Sequence, residues 1–84
     1  MDLKQIEYIL KIAEENNVTK AAEKLFISQS ALNQQLLKLE KELGAPLFFR
    51  TRNNWTLTEI GELYVQKKKE IKEKKKNTYN QIAD

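Results

Sequence analysis

Gln29, Ser30, Asn33 and Gln34 fall within six consecutive positions, and Gln35 adds a further amide. A primary amide carries a donor and an acceptor on one planar group, which matches the N6/N7 edge of adenine, and a serine hydroxyl can serve several bases. The same residues would also make an ordinary polar helix face, since glutamine is a good helix former. Composition alone favours that bland reading. Two neighbouring features reverse the preference: a very short connection ahead of Ser28, and a pair of arginines, Arg50 and Arg52, after the segment.

Other chemistries find little support. The chain has 84 residues with no cysteine and no histidine. Disulfide staples, zinc-finger sites, Ser-His pairs and cysteine nucleophiles are therefore excluded. No convergent acidic cluster or glycine-rich loop is visible, so an enzyme is the least expected class and no cofactor or metal is expected. One domain is the natural size. No stretch approaches the roughly 20 apolar residues that span a bilayer. The start, Met1-Asp2-Leu3-Lys4-Gln5, does not read as a secretory signal. A cytoplasmic location without membrane association is the expectation.

The net charge of +3 hints at a polyanion, but its distribution qualifies the hint. Residues 66–76 (QKKKEIKEKKK) hold seven lysines and two glutamates, a balance of +5. Residues 1–65 hold eight basic and nine acidic groups, a balance of −1, and Asp84 supplies another −1. The lysine run has three readings, ranked here: a solvated helix face, phosphate contact, and a membrane patch that lacks an apolar face or lipid anchor.

The elements that would position these groups follow from periodicity and end signals. Leu3, Ile6, Leu10 and Ala13, with Ile9 beside them, make the apolar stripe of a first helix over about Asp2 to Glu15. Asn16-Asn17 breaks it. Thr19 has the chemistry of an N-cap for a short second helix through Ala21, Ala22 and Leu25, and the paired alanines suggest a closely crossing helix. Phe26-Ile27 is an apolar connection. Ser28 then caps a third helix that ends at Leu43, with Gly44 as its left-handed C-terminal residue and Pro46 beyond. A connection of about two residues between helices has the length of a helix-turn-helix turn.

On a wheel at about 100° per residue, Leu32, Leu36, Leu39 and Leu43 face inward, while Ser30, Asn33, Gln34, Leu37 and Lys41 face outward, with Gln29 at the N-terminal edge. Leu37 is read as an incidental surface residue in preference to a contact with a thymine methyl. Leu47-Phe48-Phe49 and Trp55-Thr56-Leu57 are β-prone and flank Arg50-Thr51-Arg52-Asn53-Asn54. Asn53-Asn54 suits a tight turn, giving a hairpin with two arginines near its tip. Thr58 caps a last, long helix. Its seam, Ile60, Tyr64, Lys67, Ile71, Lys74 and Thr78, has coiled-coil spacing, and Glu70 and Lys74 form an i,i+4 pair.

Together, Ala21-Ala22-Glu23-Lys24-Leu25, Ile27-Ser28-Gln29-Ser30-Ala31-Leu32, Leu39-Glu40-Lys41-Glu42-Leu43-Gly44-Ala45-Pro46-Leu47-Phe48, Arg50, Leu57-Thr58 and Gly61-Glu62 resemble the N-terminal DNA-binding domain of LysR-type transcriptional regulators. The resemblance runs from Met1 to about Tyr64 without a gap. It implies a mainly α fold with a small β-hairpin: a winged helix-turn-helix at 1–58, then a long linker helix at 59–84 that pairs two subunits. It further implies sequence-specific binding of double-stranded DNA, with helix 28–43 in the major groove and wing 49–56 on the adjacent backbone or minor groove. A dimer would sit on an inverted repeat.

The matching base-contact positions are Gln29, Ser30, Asn33 and Gln34. Thr19 and Lys20 would lie over phosphate, and Arg50 and Arg52 on the wing would approach backbone or minor groove. Ser28, Lys38 and Asn53 complete the expected DNA set, and Ile60, Leu63, Tyr64, Lys67 and Ile71 the dimerisation set. Several positions depart from the family pattern. Ser30 stands where proline is common, Asn33 where serine is, Gln34 where a basic residue is, and Ile60 where alanine is. Asn53-Asn54 replace basic residues and glycine, which lowers the attraction for phosphate. Family members carry an α/β effector-binding domain after the linker helix. It is absent from these residues, so the expectation is either a DNA-binding fragment or a short natural relative, with any small-molecule inducer bound only in a longer chain.

Two residues have competing roles in this reading. Arg50 divides evenly between DNA and a salt bridge to Glu40 or Glu42, whereas Arg52, nearer the tip, is the better DNA residue. Trp55 is read as packing the wing onto the core, and Tyr64 as a packing or dimer residue. The competing class is a helical protein-interaction module whose last helix is the active surface.

Overall fold

Ile6, Ile9 and Ile12 recur every third residue of helix α1 (Leu3–Glu15) and are all buried, with Gln5 beside them. The computed structural model describes residues 3–52 and 54–69; the expectations for Asn53, Glu70, Ile71, Lys74 and Thr78, and the helix start at Asp2, lie outside them. The expected stripe is rotated. Leu3 is half exposed, Leu10 and Ala13 only flank the core, and Ile12 is wholly enclosed.

Helix α1 stops at Asn16, which takes a left-handed φ of 55°. Asn17, and not Thr19, then caps helix α2 (Val18–Leu25): its side chain accepts from the Lys20 amide. Both residue types make good caps. The register is decided by burial, because a start at Val18 sends Val18, Ala21 and Ala22 into the core. The two alanines leave room for α2 to lie close to α1 and to helix α3 (Gln29–Leu43), as their burial shows.

Phe26, Ile27 and Ser28 connect α2 to α3. Phe26 sits at φ 59°, ψ 38°, and the Phe26 and Ile27 amides close onto the Glu23 and Ala22 carbonyls. This left-handed stop is usually given to glycine, because a Cβ crowds the following carbonyl there. Ile27 packs against the core and leaves the Phe26 ring in solvent, 94% exposed. The tight return sets α3 across α2.

Helix α3 follows the expected end signals. The Ser28 hydroxyl oxygen accepts from the Ala31 amide, and Gly44 closes the helix at φ 75°. Leu32, Leu36 and Leu39 are fully buried, and with Ile9, Ile12 and Leu47 they form the centre of the core. Each contributes about 1.5–3 kcal/mol by its removal from water. Leu43, expected inward, is partly exposed, since the last turn of α3 runs past the core; Glu40 is buried on the inward arc.

Strands β1 (Phe48–Thr51) and β2 (Asn54–Leu57) pair antiparallel, Phe48 opposite Leu57 and Thr51 opposite Asn54. Asn54 is therefore a strand residue, and the Thr51 hydroxyl donates to its carbonyl; the turn begins at Arg52, one residue earlier than an Asn53-Asn54 turn would have it. Trp55 packs at the core margin with its ring 6.0 Å from Phe48, and its amide donates to the Asn16 carbonyl at 2.8 Å.

Residues 59–69 are helical, here α4. The Thr58 hydroxyl accepts from the Gly61 amide and donates to the Pro46 carbonyl, while the Thr58 amide donates to the Leu47 carbonyl. Gly61 is required by proximity: a Cβ there would stand 2.1 Å from the Leu47 oxygen. Tyr64 and Val65 close the core from this side.

Candidate nucleic-acid interface

The first turn of α3 presents Gln29 and Ser30 to solvent, with Gln34, Gln35, Leu37 and Lys38 exposed along the same helix. Asn33 is half-buried, so less of its amide is open than the helical wheel implied. Thr19 and Lys20 are exposed in the first turn of α2. The Thr19 hydroxyl donates to Gln29 Oε1 at 2.9 Å, which joins the N-terminal ends of α2 and α3 into one polar surface. The α2–α3 turn thus brings residues ten apart in sequence into direct contact.

The two wing arginines have different environments. Arg50 Nη2 lies 2.5 Å from Glu40 Oε1, and its guanidinium carbon sits 5.3 Å from the centroid of the Trp55 ring. The other Glu40 oxygen accepts from the buried Leu47 amide at 2.6 Å. One buried carboxylate thereby holds both the entry to β1 and the arginine on it. The salt-bridge alternative for Arg50 is the one present, with Glu40 and not Glu42 as partner. Arg52 is exposed beyond the strand and makes no ion pair among the described residues. Lys24 is paired with Glu15 at 3.1 Å. Lys20 and Lys38 remain exposed cations near the amide face.

On α4, Ile60 and Leu63 are exposed apolar side chains and Lys67 is exposed. Tyr64 faces the core of its own chain, and burial raises its phenol pKa above the usual 10.0. Lys68 Nζ lies 5.6 Å from its ring centroid. Among the described residues no group of His, Cys, Asp or Glu could hold a metal ion, and no helix is long and apolar enough to cross a membrane.

Comparison with known proteins fits this geometry. The family described as bacterial regulatory helix-turn-helix protein, lysR family, matches residues 3–62. The chain belongs to the LysR family. Among its curated relatives, the uncharacterised HTH-type transcriptional regulator YcgK of Bacillus subtilis (strain 168) is 46% identical over 71 residues, covering 84% of this chain and 22% of YcgK. The HTH-type transcriptional regulator BsdA of the same organism is 43% identical over 72 residues, covering 84% of the chain and 25% of BsdA. This LysR-family chain thus spans about a quarter of the length of such relatives.

Among solved structures, the BenM_DBD/benA site 1 DNA complex superposes with a TM-score of 0.90 at 30% identity, covering 99% of this chain and 96% of that one. The CbnR_DBD–DNA complex superposes at 0.87 with 28% identity, covering 99% and 95%. The fold is therefore the winged helix-turn-helix of LysR DNA-binding domains.

Asn17 and Asn16 have positioning roles that the sequence does not show, and Glu40, expected only as one of two possible partners for Arg50, also holds the Leu47 amide. Residue type points to Thr19 as the cap, whereas Asn17 takes that role. The carbonyl link from Asn16 to Trp55 has no side-chain signature. Glu40 did leave a signal: an acid four residues after Leu36 and one after Leu39 stands on the apolar arc, where only a paired carboxylate is stable.

Proposed function

We propose that this chain is the DNA-reading domain of a LysR-type transcriptional regulator, binding double-stranded DNA sequence-specifically. Helix α3 enters the major groove, and the hairpin lies on the adjacent backbone or minor groove. The observation that carries the reading is the superposition, over 99% of the chain, on a domain solved in complex with DNA, combined with an α3 face that offers amides and a hydroxyl in place of the usual acids and lysines. Gln29, Ser30 and Gln34 are assigned to base edges, with Asn33 contributing only its exposed part. Lys20, Ser28 and Lys38 surround them as phosphate or edge contacts, and Thr19 lies against Gln29. Arg52, together with Asn53, is assigned to the wing contact. Arg50 is assigned first to Glu40 and supports the wing from behind. The role is recognition without turnover, consistent with relatives named as transcriptional regulators, and DNA as partner implies the cytoplasm.

Two copies acting through α4 on an inverted repeat is part of the same proposal. Ile60 and Leu63 are its support, being exposed apolar residues on one helix, with Lys67 beside them; Tyr64 serves by buttressing that helix from the core side, and Ile71 would extend the surface. Because residues 1–65 are nearly neutral, attraction to phosphate is modest and pairing of two weak binders supplies affinity.

Selection from a randomised duplex pool followed by gel shifts tests the reading. Gln29→Ala and Gln34→Ala should each lower affinity and alter base preference, and Arg52→Ala should lower the salt slope by about one. Binding to no duplex at low salt would leave the interaction-module reading in its place. Sedimentation of the chain with and without operator measures the dimer.

A further inference from the structure

By residue type Gln29 suits adenine, whose N6/N7 edge asks an amide both to accept and to donate. In the folded chain its amide is already turned. The Thr19 hydroxyl donates its single hydrogen to Gln29 Oε1 at 2.9 Å. Thr19 is held in the first turn of α2, whose start is pinned by the Asn17 cap. Gln29 is the first residue of α3, pinned by the Ser28 cap. Both backbone positions are therefore set by independent caps, and the hydrogen bond between the side chains favours one orientation of the amide plane.

A planar amide that aims its oxygen at α2 aims its nitrogen away from α2. Gln29 then turns its two N–H donors to the surface, while its oxygen, one lone pair taken by Thr19, faces α2. The contact is lateral, between two side chains of the same exposed face, so Thr19 can orient the amide while the amide remains open to a partner.

We propose that Thr19 is a positioning residue that sets the polarity of Gln29, making it a donor-only reader of a keto base in the major groove. Guanine (N7 and O6) and thymine (O4) present only acceptors there, whereas cytosine presents only an amino group, and adenine sets an amino group that a donor cannot use beside its N7 acceptor, so it satisfies an amide donor less well than guanine does. This inference rests on the DNA-binding role proposed above and adds the class of base that one of its residues reads. It reassigns Thr19, too: the hydroxyl that sequence reasoning placed over phosphate has its hydrogen committed to Gln29.

The test uses the full chain and base-selection profiles for wild type, Thr19→Val, Thr19→Ser and Gln29→Ala, with helicity checked for each. Gln29→Ala identifies the base pair that Gln29 reads, as the position whose preference flattens. At that position wild type should favour the keto base by roughly three- to tenfold, the range of one net hydrogen bond. Thr19→Val fills the same space without a hydroxyl and frees the amide to rotate, so its preference should spread to adenine. Thr19→Ser should restore the wild-type profile.

Synthetic duplexes carrying 7-deazaguanine, or a thymine analogue lacking O4, at that position locate the acceptor that is used. The analogue of the selected base should weaken wild type and leave Gln29→Ala unaffected. If Gln29→Ala flattens a position that wild type fills with adenine, or if Thr19→Val keeps the wild-type profile, the polarity inference is overturned while DNA reading by Gln29 stands. If Gln29→Ala changes no position, the base-reading assignment fails and this inference falls with it.

Discussion

Replacing Glu40 by alanine should be the most costly single change at the root of the wing. Glu40 is 8% exposed; one carboxylate oxygen accepts from the Leu47 amide at 2.6 Å and the other from Arg50 Nη2 at 2.5 Å. Leu47 is fully buried, so its amide loses a partner that water cannot easily replace. An orphaned buried donor costs about 1–3 kcal/mol. The Arg50 side chain is 37% exposed, which places the loss of its ion pair on the scale of surface bridges, about 0.2–1 kcal/mol. The sum for Glu40→Ala is about 2.5 kcal/mol, against a total stability of roughly 4–12 kcal/mol at this chain length. For a domain of this size that lowers Tm by about 10–20 °C.

Glu40→Gln keeps an oxygen for the Leu47 amide and loses only the charge, and Arg50→Ala keeps the Leu47 bond; each should cost about 1 kcal/mol. The double variant Glu40→Ala/Arg50→Ala should be no worse than Glu40→Ala by more than about 0.5 kcal/mol, because the pair is already broken in the single variant. Urea unfolding followed by far-UV circular dichroism measures the series, with fluorescence of Trp55, the one tryptophan, as a local probe stacked on Arg50. If Glu40→Ala falls within about 0.5 kcal/mol of wild type, or merely equals Arg50→Ala, the carboxylate does not hold β1.

Four other variants test separate joints. Thr58→Ala removes the α4 cap and the bond to Pro46 and should cost about 1–2 kcal/mol, whereas Gly61→Ala drives a methyl into the Leu47 carbonyl and should cost more; the reverse order in urea melts would discount the close approach. Phe26→Asn should raise stability by about 0.5 kcal/mol, since the ring is solvent-exposed and Asn tolerates the left-handed backbone; an equal-sized loss of stability would mean that the ring makes a stabilising contact after all. Tyr64 has an alkaline signature. Its folded pKa is raised by burial, so its contribution is complete below the ordinary value of about 10 and is lost as pH rises from there through the folded value. Urea midpoints measured from pH 8 to 11 should therefore fall more steeply for wild type than for Tyr64→Phe, and parallel curves would contradict it.

Much of this domain was legible in the sequence wherever the cause is local. The Ser28 cap, the Gly44 stop and the Thr58 cap each satisfy a backbone group three or four residues away, so residue type and spacing suffice to place them. The leucine arc of α3 and the polar face opposite it follow from helical period alone. The candidate site was legible to the same depth, as a list of exposed amides on one helix and arginines on one hairpin.

What the tertiary structure decided are the choices between locally equivalent options. Asn17 and Thr19 are both good caps, and the burial of Val18, Ala21 and Ala22 selects Asn17. Arg50 and Arg52 are two residues apart on one hairpin, yet Arg50 turns to a carboxylate ten positions away while Arg52 stays in solvent. The Thr19 hydroxyl, freed from capping, reaches Gln29 only because Phe26 accepts a left-handed turn and brings α3 back across α2. Residue types and spacing determine which groups are present on each element and on which face. The partner each group takes depends on contacts made after the chain has turned back on itself, and no local pattern carries that information.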